Sequence, residues 1–113
     1  MSAKLFAKKY LTNVKWPTKK VSEKELWDVS GILKDRSNEN LRFDVRPLKK
    51  IKDQVGKEGS FKSKADKIVF ESINSWIIVD TEELHSFLKQ KQQKIVSVDE
   101  LLSNLDWNII LPK

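Results

Sequence analysis

Cysteine is missing from the 113-residue chain, histidine occurs once, and glycine and proline occur three times each. The lack of cysteine excludes a disulfide scaffold and a cysteine-ligated metal centre, and the scarcity of glycine and proline excludes a collagenous or low-complexity chain. Long apolar runs are also lacking: the longest, Trp76 to Val79, has four residues, against the roughly 20 that a bilayer-spanning helix needs. Acids are absent from residues 1–22. That stretch is basic and amphipathic like a targeting peptide, but it has no arginine and no cleavage signal. Its apolar face, built partly from Ala3 and Ala7, is small for a membrane-surface helix. The expectation is an intracellular, cytoplasmic protein that forms one domain over residues 1–113, with 1–20 as a basic N-terminal helix or arm and no membrane partner.

What the chain does have is lysine: 22 Lys+Arg face 16 Asp+Glu, for a formal charge of +6. The excess is uneven. Residues 1–22 carry six lysines and no acid, and residues 41–67 carry nine bases against four acids, whereas residues 68–113 hold four bases and seven acids. A basic front joined to a mildly acidic, apolar-rich back points to a polyanionic partner. The plainer explanation is that lysine is the common surface residue of the source proteome.

Three helix starts share one chemistry. Ser22, Asp80 and Ser97 are each followed three positions later by Glu25, Glu83 and Glu100, the spacing of a capping box. The flanking pairs Val21/Leu26, Val79/Leu84 and Val96/Leu101 suit hydrophobic staples. The predicted helices carry Leu26, Val29 and Leu33; Leu84, Phe87 and Leu88; and Leu101, Leu102 and Leu105, with Gly31 weakening the first. Helical spacing also marks Phe6, Tyr10, Leu11 and Val14. Pro47 followed by Leu48, Ile51 and Val55 predicts a further helix that ends before Gly56. Strands are expected at 41–45, at 67–71 and 76–80 as a hairpin, and at 108–111. The fold class is α+β, a small single domain whose mixed sheet, a central hairpin plus a terminal strand, is packed by helices. Residues 12–20, 36–40 and 56–64 are the expected flexible pieces.

Catalytic parts are sparse. His85 lies off its helix's apolar stripe and reads as a solvated position, and no Cys/His pair or histidine-rich metal site is available. Asp44 and Glu71 on neighbouring strands are the carboxylates to suspect for a metal-dependent nuclease, but the lysine expected two residues after the glutamate is missing: Ser72 and Ile73 follow Glu71. The chain reads as a non-enzyme with no metal and no cofactor. Gly56-Lys57-Glu58-Gly59 has the GxxG spacing with which RNA-binding KH modules bring backbone close to nucleic acid. Glu58 places a negative charge where phosphate would lie and the following segment is short, so the stretch reads as a surface loop.

The remaining candidate is electrostatic. Lys15, Lys19, Lys20, Arg42, Arg46, Lys49, Lys50, Lys57, Lys62 and Lys64 are the expected phosphate contacts, with Trp16 as a base-stacking residue among lysines. The competing role for Trp16 is to pin the N-terminal arm onto the domain. The functional expectation is a small non-catalytic protein that binds nucleic acid, DNA or RNA, through its phosphate backbone. The alternative is an adaptor or inhibitor docking on an acidic protein surface, anchored by Trp16, Trp27 or Phe61. Homodimerisation through an exposed strand edge is left open.

Overall fold

Six strands form the main sheet of the computed structural model, in the order β1-β2-β3-β5-β6-β8, with β4 and β7 paired separately. The structure describes residues 2–36, 38–47, 54–56, 63–91 and 95–113. The elements are α1 (Ser2–Tyr10), β1 (Leu11–Lys15), α2 (Lys19–Glu25), β2 (Val29–Leu33), β3 (Leu41–Pro47), β4 (Gln54–Gly56), β5 (Lys67–Glu71), β6 (Ser75–Asp80), α3 (Thr81–Lys91), β7 (Ile95–Ser97), α4 (Val98–Asn104) and β8 (Asn108–Pro112). Only the β3/β5 pairing in the main sheet is parallel, so the fold is α+β with a mixed sheet. Among the described residues no helix is long and apolar enough to cross a membrane.

The period-2 alternation of strands sends side chains to two faces, and each face has its own core. On one, Ile68, Phe70, Ile77 and Val79 meet Leu84 and Phe87 of α3 and Leu101 and Leu105 of α4 and its exit. On the other, Phe6 and Ala7 of α1 pack on Val29, Leu33, Phe43, Val69, Trp76 and Ile78. The unbroken Trp76-Ile77-Ile78-Val79 run thus feeds both cores, as expected of a strand buried on both sides. The hairpin, the terminal strand and the α3 and α4 starts fall where the sequence predicts them.

Other expectations need correction. Ser22 starts no helix: α2 begins after Thr18, whose hydroxyl accepts from the Val21 N–H at 3.2 Å, and it ends at Leu26 in the left-handed region (φ 59°). The predicted helix through Leu26, Val29 and Leu33 is instead strand β2. Gly31 explains why, because a Cβ there would lie 2.9 Å from the Thr12 carbonyl oxygen of β1, so the glycine permits close strand approach. Residues 12–15 belong to β1, and Phe6 is fully buried, so α1 is an integral part of the domain rather than a detachable arm. Pro47 ends a strand rather than opening a helix, and Val55 lies in β4. Leu48 and Ile51 lie outside the described residues.

The Asp80 cap holds, with its Oδ2 accepting from the Glu83 N–H at 3.1 Å. Glu83 does not complete a capping box. Its carboxylate accepts from the Asp106 and Trp107 N–H groups at 2.9 and 3.0 Å and so fixes the entry to β8.

Candidate nucleic-acid interface

The segment from β1 to α2 carries three of the six described basic candidates, Lys15, Lys19 and Lys20. Asn13 adopts φ 52° at an irregularity in the β1/β2 register between Thr12 and Lys15, a bulge that bends the edge strand. Lys15 and Trp16 follow it, and after Pro17 the extended Thr18 (φ −66°, ψ 160°) opens α2, whose first two residues are Lys19 and Lys20. Lys15, Lys19 and Lys20 are exposed, and Trp16 is 51% exposed, unusual for the residue type. About half of its surface is therefore open to a ligand. Two lysines and no acid in a first helical turn oppose the helix dipole, so they are not there to stabilise α2.

The far end of α2 is tied to the sheet. The Glu25 carbonyl accepts from the Lys64 N–H at 2.8 Å, and the Leu26 carbonyl accepts from the Ser63 hydroxyl at 3.1 Å. The Glu25 carboxylate, expected to cap Ser22, accepts from the Trp27 indole N–H at 2.9 Å and stands 3.6 Å from Arg42. These bonds tie the end of α2, the helix that opens with Lys19 and Lys20, to Arg42 and to the segment that carries Lys64. Arg42 and Lys64 share a cleft of about 560 Å³ with Asp66, Lys67, Asp80 and His85. Cations and carboxylates alternate around it, so the cleft itself is no trap for anions.

The two arginines differ from the lysines. Asp66 Oδ2 accepts from the Arg42 backbone N–H at 2.8 Å and from its Nε at 3.3 Å. Arg46 donates to Asp44 Oδ2 at 2.6 Å from one terminal nitrogen and at 3.0 Å from Nε. Both guanidinium groups are paired with carboxylates, Arg46 in a largely buried pair and Arg42 in a half-exposed one. The exposed Lys15, Lys19, Lys20 and Lys64 make no ion pair among the described residues. Lys49, Lys50, Lys57 and Lys62 lie outside the described residues, as do Lys57 to Gly59 of the GxxG stretch. The residues just before that stretch form β4 instead of the expected helix.

Asp28, just before β2, makes a polar cluster with Asp44 and Arg46 of β3. Burial raises the Asp28 pKa and nearby Asp44 adds to the rise, while the bond from the Val45 N–H and the charge of Arg46 act against it. His85, expected to be solvated, is half-buried, and burial followed by the Arg46 charge lowers its pKa. Burial opposes ionisation of Asp80 too, but the Lys67 hydrogen bond at 2.9 Å and the Glu83 N–H outweigh it and lower the pKa. The suspected Asp44/Glu71 pair does not form. Asp44 is opposite Ile68 and Glu71 opposite Trp76, which feed different cores, so the two carboxylates lie on opposite faces of the sheet. Glu71 is bound by the Lys113 ammonium at 2.6 Å. Among the described residues no group of three acidic or histidine side chains is placed to hold a metal.

Sequence reasoning missed that Arg42 and Arg46 are spoken for. The Asp44/Arg46 pairing was legible, since residues two apart on a strand share a face; the Arg42/Asp66 pairing spans 24 residues and needs the parallel β3/β5 contact. Trp27, one of the proposed partner anchors, is buried to 9% exposure and is no anchor; Phe61 lies outside the described residues. Compared with models of known protein families, with curated proteins and with solved structures, the chain matches none.

Proposed function

We propose that this protein is a non-catalytic nucleic-acid-binding module that grips the phosphate backbone with Lys15, Lys19, Lys20 and Lys64 and stacks Trp16 on an unpaired base. The observation that carries the reading is the half-exposed Trp16 set among exposed lysines with no ion pair to any described residue. Such a group supplies both terms of single-strand binding, phosphate neutralisation and base stacking, the latter worth about 1 to 3 kcal/mol per base. With only three arginines in the chain, two of them engaged internally, guanidinium readout of guanine has little to work with, which favours backbone contact over sequence reading.

The test is a labelled single-stranded oligonucleotide titrated with the wild type, Trp16→Ala and the Lys19→Ala/Lys20→Ala pair. Trp16→Ala is expected to weaken binding by roughly fivefold or more, in line with loss of one stacked base. The lysine pair is expected to flatten the salt dependence. An acidic protein partner gives another pattern: no affinity of the wild type for the oligonucleotide, with Trp16 needed for the protein complex and the lysines setting its on-rate.

A further inference from the structure

The two edges of the sheet are built differently. β1 is blunted by its bulge and by Lys15, devices that discourage pairing with another chain. β8 carries no charge over Asn108-Ile109-Ile110-Leu111, and Ile110 is 53% exposed. Leu5, 60% exposed, lines a groove of about 460 Å³ with Trp76, next to β8 on β6, and with the side chains of Lys8, Lys9 and Lys113. Ile73, 73% exposed, sits in the turn that leads into β6. Three of the four large exposed apolar side chains among the described residues therefore lie on or beside this edge.

The direction of the β8 backbone groups follows from alternation in an antiparallel ladder. The Ser72 N–H donates to the Ser75 carbonyl and the Thr81 N–H to the Asp66 carbonyl, so odd-numbered residues of β6 bond toward β5. The Lys113 N–H donates to the Asn74 carbonyl, so even-numbered residues bond toward β8. With Trp76 opposite Leu111 and Ile78 opposite Ile109, the N–H and C=O groups of Ile109 and Leu111 are used inward. Those of Asn108 and Ile110 point away from the sheet, and no described residue takes them. Pro112 has no N–H, and its carbonyl is taken by the Tyr10 hydroxyl.

We infer that a second copy of this chain pairs on that edge, β8 antiparallel to β8 about a two-fold axis at Ile109. The outward groups are self-complementary in that register and no other residue is needed. Asn108 of each copy faces Ile110 of the other and exchanges two N–H···O bonds with it, for four in all, while the two Ile109 side chains meet at the axis as a close, non-hydrogen-bonded pair. An isologous contact of this kind closes on itself and leaves no free apolar edge. It is independent of the nucleic-acid reading, since Trp16 and its lysines flank the opposite edge of the sheet.

Sedimentation velocity over a concentration series, at low and high salt, tests this with the full chain. A monomer–dimer equilibrium is expected that tightens as salt rises, because each copy carries a formal +6 and salt screens the repulsion. Polyanion binding responds to salt in the opposite sense, so the two proposals fail separately. Ile110→Lys and Ile110→Pro should each weaken the dimer roughly tenfold or more, the second by removing an outward donor from each copy while sparing the bonds to β6. Amide exchange distinguishes a lost dimer from a lost fold: the Ile109 and Leu111 amides stay protected in both variants, and wild-type Ile110 gains protection with concentration. A wild type that is monomeric throughout, or a dimer that survives both substitutions, overturns the inference.

Discussion

Replacing Phe6 by alanine asks whether the basic N-terminal helix is part of the domain or an arm attached to it. Phe6 is fully buried, and its ring lies 5.5 Å from those of both Phe43 and Trp76, with Tyr10 at 6.1 Å. Removing a buried phenylalanine costs about 3 to 5 kcal/mol through lost transfer energy and the cavity left behind. For a chain of this length that is a fall of roughly 13 to 21 °C in Tm, enough to take a large share of a small domain's total stability. Leu5→Ala, next to it but 60% exposed, should shift Tm by no more than a few degrees. Thermal unfolding followed by circular dichroism, with denaturant titration at fixed temperature, reads both. If Phe6→Ala unfolds within a few degrees of the wild type, α1 does not belong to the core, and its lysines sit on a tether.

Gly31→Ala places a Cβ 2.9 Å from the Thr12 carbonyl oxygen and should cost about 1 to 3 kcal/mol by forcing β1 off β2; an unchanged denaturation midpoint contradicts that reading. Asp28 has its pKa raised in the fold by burial, with Asp44 contributing, so the folded chain holds the proton more tightly than the unfolded chain and stability falls as pH rises through the folded value. Asp28→Asn keeps an oxygen for the Val45 N–H and removes the buried charge; its Tm at neutral pH should equal or exceed the wild type's, with the gain shrinking under acid, and a clear loss at neutral pH refutes this. Arg42→Ala should lower stability by about 1 kcal/mol, since Arg42 is half-exposed but bonded to Asp66, and leave the salt slope of nucleic-acid binding unchanged. The Lys19→Ala/Lys20→Ala pair should do the reverse, lowering the slope by about 1.8 on duplex DNA with little change in Tm.

How much of this was legible in the chain depends on the range of the forces involved. The β5–β6 hairpin, α3 behind the Asp80 cap and strand β8 are set by local alternation, capping and apolar runs, and the sequence predicts them. The stretch from Leu26 to Leu33 deceives because Leu26, Val29 and Leu33 fit a helix while Val29, Gly31 and Leu33 fit a strand. The deciding facts are non-local: the Asp28 N–H donates to the Phe43 carbonyl, the Asp28 carboxylate accepts from Val45, and Gly31 abuts Thr12. The candidate site divides in the same way. Composition locates the lysines and the odd placement of Trp16 among them, and strand spacing offers Asp44 to Arg46, but only the tertiary structure shows that Asp66 occupies Arg42.

The proposed function stands or falls on one titration: the purified protein into labelled single- and double-stranded DNA and RNA at several salt concentrations. Four exposed lysines neutralising phosphates require log K to fall against log salt with a slope of about −2.8 on single strands and about −3.6 on duplex DNA, steeper if further lysines contribute. Tighter binding to single strands, lost with Trp16→Ala, is the expected companion result. No binding at low salt, or binding that salt leaves unchanged, would contradict it.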